Sequence, residues 1–292
     1  MDHISDKFLK KLPKQRKLVG ELRQAGAVIK QTITALRTHE TIRLGDGEPL
    51  DPLHTVYIAV QHVASIFAER VSVLDEFEPY YEIVVKAEDE YMPSGPPMSP
   101  LTRSYFTTWA FFDVRFGPDG ETLGTCLLDV ADLLGMDSLM AETIRRFQGS
   151  RMGIYEQGGT EGGRCRLREL VTGDEFVCHV ASGYRGKPGE LWYVRLCPPL
   201  PGLADYHVAF TTPYVLIGAT KTDWTAYLKK SLLGSADTRQ ALHEFLKFGK
   251  KAHSRKPDES WNEFIFEAYH HHQAEAIFLT GLPDVKGSLP HA

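Results

Sequence analysis

The sequence has few of the features that mark exported, disulfide-stapled or membrane-spanning proteins. Its 292 residues include four cysteines, no two of them close in sequence: Cys126, Cys165, Cys178 and Cys197. Small secreted domains carry dense cysteine patterns, so this spacing argues against that class. The longest nearly apolar stretch, residues 56–67, contains Gln61 and His62 and is shorter than the ~20 residues that a membrane span needs. We therefore expect a cytoplasmic protein with reduced thiols and no membrane contact.

The common catalytic signatures are also missing. No Walker A or dinucleotide-binding glycine pattern occurs, and residues 149–153 have the wrong spacing for a nucleophile elbow. The pair His243 and Glu244 is not followed by the second histidine of a zinc protease helix. Asp113, Asp119 and Glu121, together with the acidic run 88–90, supply carboxylates for a metal-dependent nuclease, but the E-x-K element of such enzymes is not evident. An enzyme is therefore unsupported by motifs, though not excluded.

Composition and charge indicate an ordinary globular protein whose charges are sorted along the chain. Hydrophobic residues make up 42% and charged residues 24%, and the net charge is -5, which excludes a uniformly basic nucleic-acid coat. Residues 7–43 hold ten basic side chains against two acidic ones, whereas residues 44–92 hold eleven acids against two bases. Two explanations fit: neighbouring elements with complementary solvated faces, or a basic arm for an anionic partner held in check by an acidic neighbour.

The pattern of elements predicts an α+β protein with a helical N-terminal part, a small central β-barrel or curved antiparallel sheet, and a helical C-terminal part. The regions expected are 1–92 (helical), 98–218 (an α+β core with the barrel at about 152–217) and 222–292 (helical). The Pro- and Gly-rich stretch 93–97 cannot continue a helix or a central strand, which places the first boundary there.

Helices are predicted from apolar spacing and capping residues. The first follows Pro13 and carries a heptad-like stripe, and the second begins with Asp51 as cap and Pro52 at its first position. Further helices are expected from residue 100, over about 121–134, and from the cap Asp137 to Gly149. The Thr and aromatic content of the segment from residue 100 also allows a strand. In the C-terminal part we expect helices over 223–233 (capped by Thr222 or Asp223), 236–248 (capped by Ser235) and 259–272 (capped by Asp258).

Short strands are predicted between residues 152 and 217. They lie near 153–156, 165–170, 175–180, 191–196, 206–210 and 214–217, and a further short strand is expected at 276–279. The triplet Thr172-Gly173-Asp174 is a tight hairpin signal, and the glycine-rich stretch 158–163 is typical of a hairpin turn. Six short strands within seventy residues favour a small barrel or a strongly curved sheet.

Several segments resemble a group of uncharacterised bacterial proteins. They are residues 97–102 (PMSPLT), 150–156 (SRMGIYE), 167–173 (LRELVTG), 183–186 (GYRG), 189–195 (GELWYVR) and 282–284 (LPD). The middle segment, about 102–196, also resembles a module of hypothetical bacterial proteins that sometimes end in a zinc-binding tail of the kind found on SecA, and that tail is absent here. The resemblance implies a bacterial origin and carries no activity.

Metal binding is not expected. Cysteines and histidines do gather in the strand region, but structural zinc sites take their ligands in close pairs, and Cys165 and Cys178 are thirteen residues apart. The run His270–His272 ends a predicted helix, where histidines interact well with the helix dipole. We therefore predict no bound metal and no cofactor.

Two segments are candidate binding sites. The loop 182–190 carries Tyr184, Arg185 and Lys187 among glycines and leads into Trp192 and Tyr193; such side chains on a barrel rim stack bases or hold an anionic surface, or else simply fill the core. The second candidate is a basic run between the last predicted helices, made of Lys247, Lys250, Lys251, Arg255 and Lys256.

The sequence thus favours a non-enzymatic binding or adaptor protein that contacts a macromolecule, either a protein or a nucleic acid, through the barrel-rim loop and the basic run. The alternative is a hydrolase or nuclease-like enzyme whose carboxylates are assembled only by the fold.

Overall fold

The structure is a computed structural model that describes residues 3–11, 14, 16–37, 50–91, 100–249 and 277–280. The chain divides into two compact units that interleave in sequence. One comprises Met1–Ala87, Thr107–Ser150 and Pro198–Asp205, and the other comprises Glu88–Phe106, Arg151–Cys197 and Tyr206–Ala292. The architecture is α+β, with helices in both the N-terminal and the C-terminal parts, as the sequence predicts.

The first unit is helical. Its helices, some of which continue into the second unit, are α1 (Ile4–Lys11), α2 (Arg16–Arg37), α3 (Pro52–Val71), α4 (Glu78–Tyr91), α5 (Pro100–Phe112), α6 (Leu123–Asp129) and α7 (Ser138–Gly149). Asp51 caps α3 by accepting a hydrogen bond from the His54 amide, and Asp137 caps α7 by accepting from the Met140 amide, as predicted. These side chains satisfy amide groups that have no partner within the helix.

Aromatic rings fill the core of this unit. Phe8 of α1 meets Phe67 and Phe77 edge to face, with ring centroids 5.7 and 5.4 Å away. Phe112 stacks on Phe147 at 4.3 Å. Such pairs contribute about 0.5–1.5 kcal/mol beyond the apolar area they bury. The helices are therefore held by a packed interior rather than by their intrinsic helix propensity.

The second unit is built on a sheet of seven strands with helices α8 (Lys221–Ser231) and α9 (Thr238–Phe248). The strands are β1 (Arg151–Glu161), β2 (Arg164–Glu169), β3 (Glu175–Val180), β4 (Leu191–Cys197), β5 (His207–Ala209), β6 (Tyr214–Ile217) and β7 (Ile277–Thr280). All seven overlap the predicted strands, although β1 continues five residues beyond its predicted end at Glu156. The predicted hairpin turn joins β2 to β3, and Gly173 adopts the left-handed conformation (φ 73°) that such a turn requires.

Five of these strands close into a barrel in the order β1-β2-β3-β5-β4, with β4 pairing back to β1. All neighbours in this ring are antiparallel except β3 and β5, which are parallel. This connectivity is that of the OB-fold, a small Greek-key barrel. Strands β6 and β7 continue the sheet beyond β4.

The barrel interior is filled by side chains. Its buried members are Tyr155, Cys165, Leu167, Cys178, Trp192, Val194, Leu196, Ala209 and Val215. Gly153 lies under the Tyr155 ring, where an added Cβ would come within 2.3 Å of the hydroxyl oxygen, so only glycine fits at that position. Because side chains alternate along a strand, the residues between these members face outwards.

Several sequence predictions need correction. Gly158 and Gly159 lie within β1 at an irregularity of its pairing with β2, and the turn itself falls at Gly162 and Gly163. Helix α6 is shorter than predicted, and α8 and α9 are capped by Thr220 and Asp237 rather than by the residues expected. Helices α1 and α4 were not predicted, and the predicted helix 259–272 lies outside the described residues.

The part of the chain that the structure describes contains no helix with the length and apolarity that crossing a bilayer requires.

Candidate functional site

A row of three arginines runs along the outer side of β2. Arg164, Arg166 and Arg168 alternate with buried residues of the barrel interior, so all three face outwards. Successive members are two residues apart, which in a strand separates their Cα atoms by about 6.8 Å. The strand thus presents regularly spaced positive charges along one line.

The three arginines differ in what they contact. The guanidinium of Arg168 donates to the Glu175 carboxylate across the β2–β3 pair, at 2.5 Å. The guanidinium carbon of Arg164 lies 3.6 Å above the ring of Tyr206, a cation–π contact. Arg166 is exposed and forms no ion pair with any carboxylate among the described residues. Its charge is therefore available to a ligand.

A groove of about 260 Å³ lies beside this row, on the outer face of β1, β2 and β3. It is lined by Glu156, Gly158, Arg166, Leu167, Arg168, Glu175, Phe176 and Val177. On one side Lys221 at the start of α8 donates to Glu156 at 2.6 Å, which neutralises that carboxylate. We call these lining residues, with Arg164 and Tyr206, the β2–β3 face.

The barrel-rim loop is anchored by one carboxylate. Oε2 of Glu190 accepts hydrogen bonds from the Tyr184 hydroxyl at 3.0 Å and from the Trp192 indole at 3.1 Å. The two rings pack together, with centroids 5.4 Å apart, and Trp192 is fully buried. Gly186 is needed here because its φ is 60° and an added Cβ would clash with Glu190 and Trp192. Tyr184 is thus a half-buried member of the barrel's packing.

Gln157 ties the same loop to β1. Its side-chain amide donates to the Arg185 carbonyl at 2.9 Å, and its side-chain oxygen accepts from the Gly159 amide at 2.7 Å. The side chains of Arg185 and Lys187 themselves are exposed. The loop backbone is therefore fixed to β1 immediately before Gly158, while its two cations project into solvent.

The second predicted binding segment is described only at its start. Lys250, Lys251, Arg255 and Lys256 lie outside the described residues, so their role stays a prediction. Lys247, which we grouped with them, is buried, and its ammonium lies 5.5 Å from the Phe248 ring centroid. Its side chain belongs to the packing of α9, so the part of the prediction that placed Lys247 in an exposed basic run is wrong.

Two of the cysteines that looked separate in sequence are neighbours across the sheet. Cys165 on β2 pairs with Cys178 on β3, and Cys178 pairs in turn with His207 on β5. None of the four cysteines forms a disulfide, and all four are buried. Burial raises the pKa of Cys165 to about 11 and that of Cys178 further still, so both are protonated at neutral pH. They are packing residues of the barrel and not nucleophiles.

One cluster of metal-ligating side chains is found among the described residues, in the helical unit. His3, Asp119 and Glu121 bring ligand atoms within 4.8 Å of one another. His3 Nδ1 lies 3.2 Å from an Asp119 oxygen, but both oxygens of Glu121 already accept hydrogen bonds from the first residues of α1, including the Ile4 amide at 2.7 Å. Glu121 therefore caps the start of α1, where a helix favours negative charge.

The other metal and acid candidates do not add to this cluster. Asp113 is buried elsewhere in the same unit, and the run His270–His272 lies outside the described residues. The fold therefore joins two of the acids that the sequence suggested, Asp119 and Glu121, with a histidine that sequence reasoning had not considered. That no metal is bound stays a prediction.

Comparison of the chain with protein-family models, with curated proteins and with solved structures found no match. The site is therefore interpreted from its own geometry and from the connectivity of the barrel.

Sequence reasoning missed the β2–β3 face. Its signal was present in the run R-C-R-L-R at 164–168, in which cationic and apolar residues alternate with the period of a half-buried strand. The sequence does not show which residue contacts each arginine, because the hairpin brings Glu175 to β2 and the segment leading into β5 brings Tyr206.

Proposed function

We propose that this is a non-enzymatic binding protein that holds a single-stranded nucleic acid on its β2–β3 face. The observation that supports the proposal best is the row of arginines on β2, with Arg166 available beside a groove. Barrels of this connectivity bind oligonucleotides on the face of their strands 2 and 3 and on adjoining loops. That is an analogy at the level of the fold, and a fold alone does not define function. The arginine row makes the analogy specific to this chain.

The charges on and around this face favour a negatively charged chain. Four cations, Arg164, Arg166, Arg168 and Lys221, stand against three exposed or half-exposed carboxylates, those of Glu156, Glu161 and Glu175. The surplus is one positive charge, from 4 − 3, so we expect moderate affinity rather than the tight binding of a strongly basic surface. The spacing of the arginines suits successive phosphates of an extended strand better than a single compact anion.

The two binding segments predicted from the sequence would add cations to those of the β2–β3 face. Arg185 and Lys187 are exposed on the loop that Gln157 ties to β1. We propose that they meet the phosphates beyond Arg166, and that Lys250, Lys251, Arg255 and Lys256 add a further cationic segment. Tyr184 has its hydroxyl and ring engaged by Glu190 and Trp192, so its contribution is to hold the loop in place.

The test is fluorescence anisotropy with a labelled oligothymidylate of roughly 12 nucleotides, within the 4–16 that one such barrel covers. If three arginines contact phosphates, log K should fall with log salt with a slope of about −2, from about −0.7 for each contact. Arg166→Ala should weaken binding several-fold and make the slope shallower by about 0.7. The matched control is Arg145→Ala, which removes an exposed arginine of α7 and should leave binding unchanged.

Absence of binding by the unaltered protein at low salt would refute the proposal. Equal losses for Arg166→Ala and Arg145→Ala would show that binding is a general effect of charge and does not involve the β2–β3 face.

The alternative function, a hydrolase or nuclease-like enzyme, has one observation in its favour, the cluster of His3, Asp119 and Glu121. It is the weaker candidate because Glu121 already caps α1 with both oxygens. The test is cleavage of a labelled oligonucleotide in Mn²⁺ or Mg²⁺ by the unaltered protein and by Asp119→Asn. Metal-dependent cleavage that Asp119→Asn abolishes would establish the enzyme in place of the binding protein.

A further inference from the structure

The most specific feature of the β2–β3 face is a gap in β1 opposite Arg166. Gln157 pairs with Leu167 and Thr160 pairs with Cys165, so Gly158 and Gly159 together stand opposite the single residue Arg166. This is a β-bulge, in which one extra residue is left without a ladder partner. Neither glycine has a side chain; Gly158 lines the groove, and a Cβ added at Gly159 would lie 3.9 Å from Nη2 of Arg166.

We infer that this gap is the seat of one nucleobase of the bound strand, stacked against the guanidinium of Arg166 above Gly158. The inference rests on the proposed function and deepens it, because it adds a base contact to the phosphate contact of Arg166: the flat face of the guanidinium stacks on the base, and the N–H groups at its edge meet the phosphate. Gly158 is then a specificity-determining residue, because the absence of a side chain at this position leaves room for the base.

The groove beside the gap is large enough for a flat ring, and its chemistry suits one. A cavity of about 150 Å³ accepts a benzene molecule, and the groove, at about 260 Å³, is larger. Val177 offers an exposed apolar side chain on the β3 side, directly opposite Arg166 in the pairing of β2 with β3. A planar, weakly hydrated guanidinium stacks on aromatic faces, and Arg166 has no ion pair among the described residues that would hold it elsewhere.

The same geometry shows how to fill the gap without straining the strand. The φ of Gly158 lies outside the left-handed region, so other residues can adopt its backbone conformation. A Cβ added there would lie 3.5 Å from the Arg166 carbonyl oxygen and 3.7 Å from the Arg166 Cβ, which are ordinary contacts. Gly158→Val should therefore occupy the seat while keeping the strand, since β-branched residues suit strands. Gly158→Ala fills it less.

The experiment compares two probes of equal length and equal phosphate number: the labelled oligothymidylate and an abasic phosphodiester chain. The unaltered protein should bind the oligothymidylate more tightly, by roughly five-fold or more for one stacked base. Gly158→Val should bring the oligothymidylate down to the affinity of the abasic chain and leave abasic binding unchanged. The affinity of Gly158→Ala for the oligothymidylate should lie between those of the unaltered protein and of Gly158→Val. Unchanged abasic binding also shows that the variant is folded, and a thermal unfolding curve checks this independently.

The outcomes separate the two claims. If neither probe binds the unaltered protein, the proposed function and the base seat both fail. If both probes bind equally well, or if Gly158→Val and Gly158→Ala leave the preference for the oligothymidylate intact, the base seat is overturned and the binding function stands. Equal weakening of both probes by Gly158→Ala would also overturn the seat, since it would mean that the glycine supports phosphate contacts. Binding of poly-glutamate as tight as that of the oligothymidylate would overturn it in favour of an acidic peptide.

Discussion

Replacing Glu190 by alanine should destabilise the barrel unit more than any substitution of an exposed carboxylate. One oxygen of Glu190 accepts from both Tyr184 and Trp192. Without it, the indole N–H of the fully buried Trp192 is left without its acceptor, which costs about 1–3 kcal/mol. The Tyr184 hydroxyl is half-buried, so water replaces part of its bond and the loss is nearer 0.5–1.5 kcal/mol. Together we expect about 2–4 kcal/mol.

The assay is urea unfolding followed by far-UV circular dichroism, fitted with two transitions because the chain has two compact units. Glu190→Gln is the first control: its amide oxygen can still accept from the indole, so it should cost about 1 kcal/mol or less. Glu175→Ala is the second, since it breaks an exposed ion pair with Arg168, a kind of pair that contributes about 0–1 kcal/mol. A cost of under about 0.5 kcal/mol for Glu190→Ala would refute the reasoning, because changes at unengaged surface positions fall in that range.

Three further predictions concern other parts of the chain. The thiols of Cys126, Cys165 and Cys178 should resist a thiol reagent such as DTNB in the folded protein at pH 8 and react within minutes in denaturant, because burial raises their pKa; rapid reaction of all four cysteines in the folded state would contradict this. Burial lowers the pKa of His207, so the contribution of this residue to stability should be complete above about pH 6.5 and should decrease as the pH falls towards the lowered pKa. His207→Gln should remove that part of the pH dependence of the urea midpoint. Identical pH profiles of the urea midpoint for the variant and the unaltered protein would contradict this prediction. Replacing Lys250, Lys251, Arg255 and Lys256 with alanine should weaken oligonucleotide binding and make its salt slope shallower while changing stability by no more than about 0.5 kcal/mol; unchanged binding would remove this segment from the proposed site.

The strands were predictable from sequence because each carries its own local signal. β2 alternates cationic and apolar residues before the Thr172-Gly173-Asp174 turn, and β3 carries the apolar run Phe176-Val177-Cys178 after it. Both strands were placed within two residues of their observed limits. The glycines at 158 and 159 were misread because a bulge inside a strand and a hairpin turn use the same residues. Only the partner strand distinguishes them, and the partner is not local.

Helix ends depended on which of several polar residues acts as the cap. Near the start of α8, Thr220 and Asp223 bond reciprocally, so the helix begins before the cap predicted from Thr222 or Asp223. Helix α1 is only eight residues long, and its cap, Glu121, is more than a hundred residues away in sequence. A cap supplied from such a distance leaves no local trace.

Part of the candidate site could likewise be predicted from the sequence, and part of it could not. The residue types on the β2–β3 face can be found in the sequence by their alternation, but the availability of Arg166 cannot. It depends on Glu175 engaging Arg168, on Lys221 engaging Glu156 and on the bulge standing opposite Arg166 itself. These are properties of pairing between segments that the sequence alone does not align.

The closure of the barrel by β1 and β4 has a consequence for how the chain folds. Arg151 of β1 pairs with Leu196 of β4, a separation of 45 residues, from 196 − 151. During synthesis the β2–β3 hairpin can form as soon as it emerges, but β1 must wait for β4 before its first half has a partner. Until then the apolar lining of the barrel, Leu167 and Tyr155 included, is exposed on an open and incomplete sheet. Long-range pairings of this kind slow folding, so this interval is when the growing chain is most exposed to aggregation.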